Sequence, residues 1–336
     1  MAVKYMSSPP IDSYQRRIDY LRISITDRCN LRCIYCMPED GIAKVSHTHI
    51  LSYEELLRLA RIAIDMGISN VRITGGEPLV RQDALYLCEN IARLPGLKSL
   101  TLTTNALLLS RYADDLFRAG IKRINISLDT LKPEKYAKIT RKDGFHEVWR
   151  GIERALEVGF HPIKLNAVVM RSVNDDELED LARLTYRYPF HVRFIEFMPF
   201  GSEPAGADQH FLAADEILAR LQRLGPLNPV SSENSNGPAR HYKLPGSMGK
   251  IGIISPITHH FCSTCNRLRL TADGKLRTCL FAAQEVDLRT PLRQGCSDSE
   301  LASILRTAIA NKPERHPLKP HLLRKCINRP MVAIGG

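Results

Sequence analysis

Through the first two hundred residues, short β-rich apolar runs alternate with longer stretches whose apolar positions recur at helical spacing. The runs are Leu21 to Asp27, Val71 to Thr74, Ser99 to Thr104, Arg123 to Asp129, Ile163 to Met170 and Val192 to Met198, six candidate strands. Between the first two, Ser52 followed by Glu55 reads as a capping box, an apolar-periodic segment follows, and Gly67 stands where a helix would stop. Gly120 and Gly159 repeat the stop signal. Strand, helix and glycine stop in alternation predict an α/β fold with parallel strands joined by right-handed crossovers, either a twisted sheet or part of a barrel. In such folds chemistry gathers at the carboxyl ends of the strands.

The alternation breaks after residue 199, where residues 201–206 are rich in Gly, Ser and Pro, and a polar stretch from Ser231 to Gly237 follows one more helix candidate. The pattern therefore divides the chain into an N-terminal arm over residues 1–20, an α/β unit over 21–199 and a smaller C-terminal unit over 200–336. In the last, Ile251 to Ile254 and Leu268 to Thr271 read as short strands, Asp273 and Gly274 as a hairpin turn, and Ser299 to Ala310 as a closing helix.

Composition narrows the class without naming a function. With 44% hydrophobic and 25% charged residues over 336 positions, the chain is in the range of soluble globular proteins, which excludes global disorder, collagen and a small disulfide scaffold. No window holds the 18 or so apolar residues of a spanning helix, and the first twenty residues, with Pro9, Pro10, Arg16 and Arg17, lack a leader core. A cytoplasmic protein with no membrane partner is expected. There, nine cysteines read as ligands or reactive thiols rather than disulfides. The net charge of +11 favours an anionic partner, whether nucleic acid, a lipid surface or a phosphorylated small molecule.

Directly after the first strand, Cys29, Cys33 and Cys36 form a C-x3-C-x2-C arrangement. A cubane of iron and sulfide has four irons, so three thiolates leave one iron open, as a catalytic centre requires. A structural zinc is the alternative, with His47 or His49 as fourth ligand. The spacing resembles that of the radical S-adenosylmethionine enzymes, and Gly75, Gly76, Glu77 and Pro78 after the second strand match a second signature of that family. The resemblance implies that the open iron chelates S-adenosylmethionine and that one electron releases a 5′-deoxyadenosyl radical, which removes a hydrogen atom from substrate. It places Tyr35 against the adenine and the glycine segment at the methionine amino group.

Cys262, Cys265 and Cys279 make a second triad, C-x2-C-x13-C, with Arg267 and Arg269 between them on one face of a strand. Two guanidinium forks suit a phosphate or a guanine edge. His259 or His260 could complete a Cys3His zinc site instead. Together with TTN at 103–105, ISLD at 126–129, FIEFMP at 194–199, CSTCNRLRLTADG and the closing Gly335 and Gly336, these residues make the chain resemble the GTP 3′,8-cyclase family, whose reaction opens molybdenum cofactor biosynthesis.

That resemblance implies a partial (β/α)6 barrel, two 4Fe-4S clusters with the second facing the purine of GTP, and a smaller C-terminal domain carrying that second cluster. Carried over by position, Arg22, Arg72, Thr103, Lys164, Arg267 and Arg269 would contact GTP; Tyr35, Gly76, Ser127 and Met198 would contact S-adenosylmethionine; Arg193, Gly335 and Gly336 would serve catalysis. The family also implies an electron donor of flavodoxin or ferredoxin type, a homodimer, and a functional partner in the cyclic pyranopterin monophosphate synthase. Asn70 departs from the basic residue found there in some relatives. Cys88, Cys296 and Cys326 fit neither triad and read as small apolar groups. The rival enzyme class is a peptide-modifying radical enzyme with an auxiliary cluster. A basic zinc protein that binds nucleic acid is the rival outside enzymes, but no helix-turn-helix, RNA-recognition or zinc-finger pattern supports nucleic acid as a partner.

Overall fold

The computed structural model describes residues 8–43, 45–198, 207–231, 237–282, 284–316 and 329–335. Six strands, β1 (Tyr20–Ser24), β2 (Asn70–Thr74), β3 (Ser99–Thr104), β4 (Arg123–Ser127), β5 (Ile163–Val169) and β6 (His191–Glu196), lie side by side in chain order, all parallel. The crossovers between them carry helices α1 (Tyr53–Asp65), α2 (Ala84–Ala92), α3 (Leu109–Arg118), α4 (Pro133–Thr140), α5 (Phe145–Val158) and α6 (Leu178–Arg187). All six predicted strands form, each within a few residues of its expected span.

The local signals act as their chemistry requires. Ser52 Oγ accepts from the Glu55 amide at 3.2 Å while the Glu55 carboxylate accepts from the Ser52 amide at 2.7 Å, so two amides that α1 would leave bare are satisfied. The helix ends before Gly67, whose φ of +101° suits glycine. Leu56, Leu59, Ala60 and Ala63 bury one stripe of α1 in the main core.

The remaining strands are β7 (Asn228–Val230), β8 (Ala239–Lys243), β9 (Lys250–Ile254), β10 (Arg267–Leu270), β11 (Lys275–Arg277) and β12 (Val286–Asp287). β9 pairs parallel with β6 and β10 pairs parallel with β1. The C-terminal strands thus extend both edges of the six-stranded core, and the sheet runs in the order β12-β11-β10-β1-β2-β3-β4-β5-β6-β9-β8-β7. An unpaired parallel edge presents a row of bare amides and carbonyls, and both edges are covered in this way. The Asp273–Gly274 turn joins β10 to antiparallel β11 as expected, with Gly274 at φ +80°.

Strand alternation decides what faces where. Leu21, Ile23, Val71, Ile73, Leu100, Leu102, Ile124, Ile126, Val192 and Phe194 are buried in the main core. Their neighbours, among them Arg22, Arg72, Thr101, Thr103, Lys164, Asn166 and Arg193, line a cavity instead. A half-polar strand is expected where one sheet face packs on helices and the other encloses a ligand.

Candidate active site

The cavity holds about 560 Å³. Register sets its cationic wall: Arg22 stands opposite Arg72 on one side and Arg269 on the other, and Tyr20 opposite Arg267. One further row joins Lys164 of β5, His191 of β6 and Lys250 of β9. Three strands thus place basic side chains at one level because each contributes the same phase of its alternation.

Cys29, Cys33 and Cys36 line the same cavity, on the loop after β1. That loop is pinned by backbone bonds from Arg32 to the Thr140 carbonyl and from Ile34 to the Ile139 carbonyl, both 2.9 Å, at the end of α4. Arg32 also donates to the Cys29 carbonyl at 2.8 Å. Burial pushes the Cys29 thiol up, the Cys33 thiol well up with neighbouring Cys36 adding to it, and the Cys36 thiol up to about 12. Such thiols stay protonated until a metal displaces the proton. Tyr35 lines the cavity and donates its hydroxyl to Asp129 at 2.8 Å; burial raises Asp129 to about 6.

The glycines of the GGEP segment are required by close approach. A Cβ on Gly76 would stand 2.3 Å from the Arg28 carbonyl oxygen and 2.9 Å from Val332, and one on Gly75 would stand 2.8 Å from the Thr26 carbonyl oxygen. Glu77 accepts from the Leu79 and Asn105 amides and the Thr104 hydroxyl, and burial raises it to about 7. Gly76, Ser127 and Met198 all face the cavity.

The second triad stands behind the cavity wall. Cys262, Cys265 and Cys279 do not line the cavity, although Phe261, Asn266 and Leu280 beside them do, together with Arg267 and Arg269. Arg16 of the N-terminal arm braces this region, donating to the carbonyls of Cys262 at 2.8 Å, Glu314 at 2.8 Å and Pro313 at 2.7 Å. His259 is turned to Asp215, 2.8 Å away, and His260 packs edge-on against His316. Among the described residues no three Cys, His, Asp or Glu side chains are gathered around a single ion. The donor chemistry, three thiols apiece, fits a cluster at either triad.

The last described residues connect the two. Met331 and Val332 line the cavity along with Cys36, Ile334 packs with Ile257 and Phe281, and Gly335 lies against Ser24 and Thr74. Gly335 does not itself line the cavity, and Gly336 and Cys326 lie outside the described residues. Cys88 is buried and Cys296 half-buried against the main core, as small apolar groups would be.

Electrostatically the cavity is strained toward an anion. Burial, and then the positive charges of Arg269 and Arg72, hold Arg22 well below the usual arginine range; burial and Arg267 bring Arg269 to about 10; burial and Arg72 bring Arg193 to about 9. Burial with Arg193, Lys164 and Lys250 pushes His191 down to about 3, and His241 falls to about 4 for similar reasons. Thr103 Oγ1, Asn166 Oδ1, His191 Nδ1 and Arg193 Nε are buried on this wall without a hydrogen-bond partner. Buried polar atoms seldom stay so, and a cluster of them marks a place for a ligand. Of these groups, His191, His241, Lys250 and Asn166 escape the sequence reading. Their only signal was strand phase, which for β8 and β9 needs the pairing to be known.

The comparisons with known proteins agree with this geometry. Residues 23–185 match the family model described as the radical SAM superfamily, and residues 190–318 the one described as Molybdenum Cofactor Synthesis C. The fold resembles that of Streptococcus suis SuiB bound to S-adenosylmethionine, with a TM-score of 0.60 at 16% identity, covering 97% of this chain and 77% of that one. Fold and thiol loop together define a radical S-adenosylmethionine protein, with S-adenosylmethionine and an iron–sulfur cluster as its cofactors. A GTP 3′,8-cyclase of Desulforamulus reducens is 51% identical over 97% of this chain and all of its own length, and that of Moorella thermoacetica is 50% identical over 97% and 99%. The chain belongs to the GTP 3′,8-cyclase family.

Proposed function

We propose that the protein is a lyase that converts GTP to 3′,8-cyclo-7,8-dihydro-GTP, the first step of molybdenum cofactor biosynthesis. One observation carries the reading: a single cavity has the first thiol triad on its wall and, on the same wall, Arg22, Arg72, Arg267, Arg269 and Lys164. These cations are recessed between strands, where a phosphorylated small molecule reaches them and a nucleic-acid duplex does not.

In this reading Cys29, Cys33 and Cys36 hold a 4Fe-4S cluster with one iron left for S-adenosylmethionine, and Tyr35, Gly76, Ser127 and Met198 shape the berth of that cofactor. Cluster and cofactor would together supply the removal of the ribose C3′ hydrogen atom; once the sugar carbon has joined C8 of guanine, one electron from the proposed donor and one proton at N7 complete the 7,8-dihydro product. Cys262, Cys265 and Cys279 hold a second 4Fe-4S cluster near the base. Arg22, Arg72, Lys164, Arg267 and Arg269 neutralise the triphosphate, whose charge repays the desolvation and mutual repulsion of the guanidinium groups. Thr103 donates to the nucleotide, and Arg193 holds the ribose end in register while the enclosed wall excludes water.

Residues 21–199 then form the barrel unit and 200–336 the unit of the second cluster and the tail. An electron donor of flavodoxin or ferredoxin type, a second copy of the chain and the cyclic pyranopterin monophosphate synthase are the expected partners, in the cytoplasm. Among the described residues no helix is long and apolar enough to cross a membrane. The test is anaerobic reconstitution with iron and sulfide, followed by product analysis with GTP and S-adenosylmethionine. Formation of the cyclised nucleotide supports the proposal, and unconsumed GTP with intact clusters overturns it.

A further inference from the structure

Lys312 follows the helix Asp298–Ala310 and is 2% exposed. Its ammonium donates to the Arg267 carbonyl at 3.1 Å and to the Thr278 carbonyl, two backbone groups that flank members of the second triad. An ammonium has three donors, and these two carbonyls take two of them. No carboxylate among the described residues forms an ion pair with it. Removing an ammonium from water costs several kcal/mol unless an anion answers it. The carbonyls it bonds lie two residues after Cys265 and one before Cys279, so the thiolates of that triad are the groups placed to answer it.

Cations surround the second triad: Lys312 bonds the backbone carbonyls two residues after Cys265 and one before Cys279, and Arg267 and Arg269 stand on the strand that follows Cys265. A cluster on three thiolates gains a further negative charge when it is reduced, and a fixed cation held beside the ligand cysteines favours that state.

We propose that Lys312 is the fixed counter-charge of the second triad and raises the reduction potential of the iron–sulfur cluster held there, a role that rests on the two-cluster reading above. Held at the Arg267 and Thr278 carbonyls, it is a positioning and tuning residue for the redox centre.

The test uses the full chain with Cys29→Ala, Cys33→Ala and Cys36→Ala, reconstituted anaerobically so that only the second triad holds iron. It is titrated with dithionite and mediators and followed by electron paramagnetic resonance. Lys312→Met should lower the reduced-to-oxidised ratio at least tenfold at the parent's midpoint, about 59 mV for one electron, and Lys312→Arg should restore most of it. An unchanged midpoint with full iron content in Lys312→Met overturns the proposal. Should Lys312→Met fail to assemble, the parent labelled with [15N]lysine decides: a nitrogen hyperfine coupling to the reduced cluster supports the placement of the ammonium beside it, and its absence overturns it. A parent triple variant that binds no iron sinks the two-cluster reading itself, and the inference with it.

Discussion

Arg269 donates from Nη1 to the Gly335 carbonyl at 2.8 Å, tying the strand that follows the second triad's first two cysteines to the last described residue of the chain. The same terminal segment lines the cavity through Met331 and Val332, and Val332 packs against Gly76. One short stretch therefore meets both an arginine of the cavity and the glycine segment on the wall that carries the first triad. Removing residues 335 and 336 should leave both triads and S-adenosylmethionine cleavage in place, while cyclised product falls by about 10²-fold, the cost of a small misplacement near reacting atoms. Parallel assays of 5′-deoxyadenosine and of cyclised nucleotide check this. A truncated chain with full cyclase activity would contradict it.

Cysteine substitutions should separate the two triads. Cys33→Ala removes a half-buried thiol of the first and should abolish S-adenosylmethionine cleavage. Cys265→Ala should spare that cleavage while GTP turnover is lost, because its loop lies behind the cavity wall beside Arg267. The readout is 5′-deoxyadenosine formed per GTP consumed. Equal loss in both variants would merge the triads into one functional unit.

Arg22 and Arg72 face each other across neighbouring strands. Arg72→Ala should weaken GTP binding by about 1.5–3 kcal/mol, roughly ten- to 150-fold, as expected for a charge-assisted hydrogen bond. The loss should shrink as salt rises and be smaller for guanosine than for GTP. Equilibrium dialysis with both ligands measures it, and an equal loss for guanosine would point to the base rather than the phosphates.

Glu77 carries a pH signature. Its carboxyl is raised from 4.5 to about 7 chiefly by burial, so the folded chain keeps a proton that the unfolded chain releases. The contribution of Glu77 to stability therefore falls as pH rises from about 4.5 to 7 and is flat above, by roughly 3 kcal/mol as an upper bound. Denaturant midpoints of the metal-free protein should follow this slope. Glu77→Gln should flatten it, and parallel wild-type and variant curves would refute the assignment.

Much of this was legible in the sequence, for identifiable reasons. The six core strands declared themselves because Leu21, Ile23, Val71 and Ile73 alternate with Arg22 and Arg72, and the capping box at Ser52 is a local signal that needs no tertiary context. The cysteine spacings located both triads. The extension of the sheet at both edges was not legible, because β9 and β10 are short and their partners lie far away in the chain. His191, His241 and Lys250 were hidden for the same reason: each is an ordinary polar residue on a short strand until pairing turns it toward the cavity. Arg16 looked like a surface charge in a terminal arm, yet its guanidinium is buried against backbone carbonyls beside Cys262.

The flanking of β1 by β10 and of β6 by β9 has a consequence for how the chain can be divided. A fragment ending near residue 198 would expose two raw parallel borders, each ready to pair with a stranger, and the remainder would have no template on which to lay its strands. The halves are obligate companions, so a transplant of the C-terminal half onto another barrel must supply both borders at once.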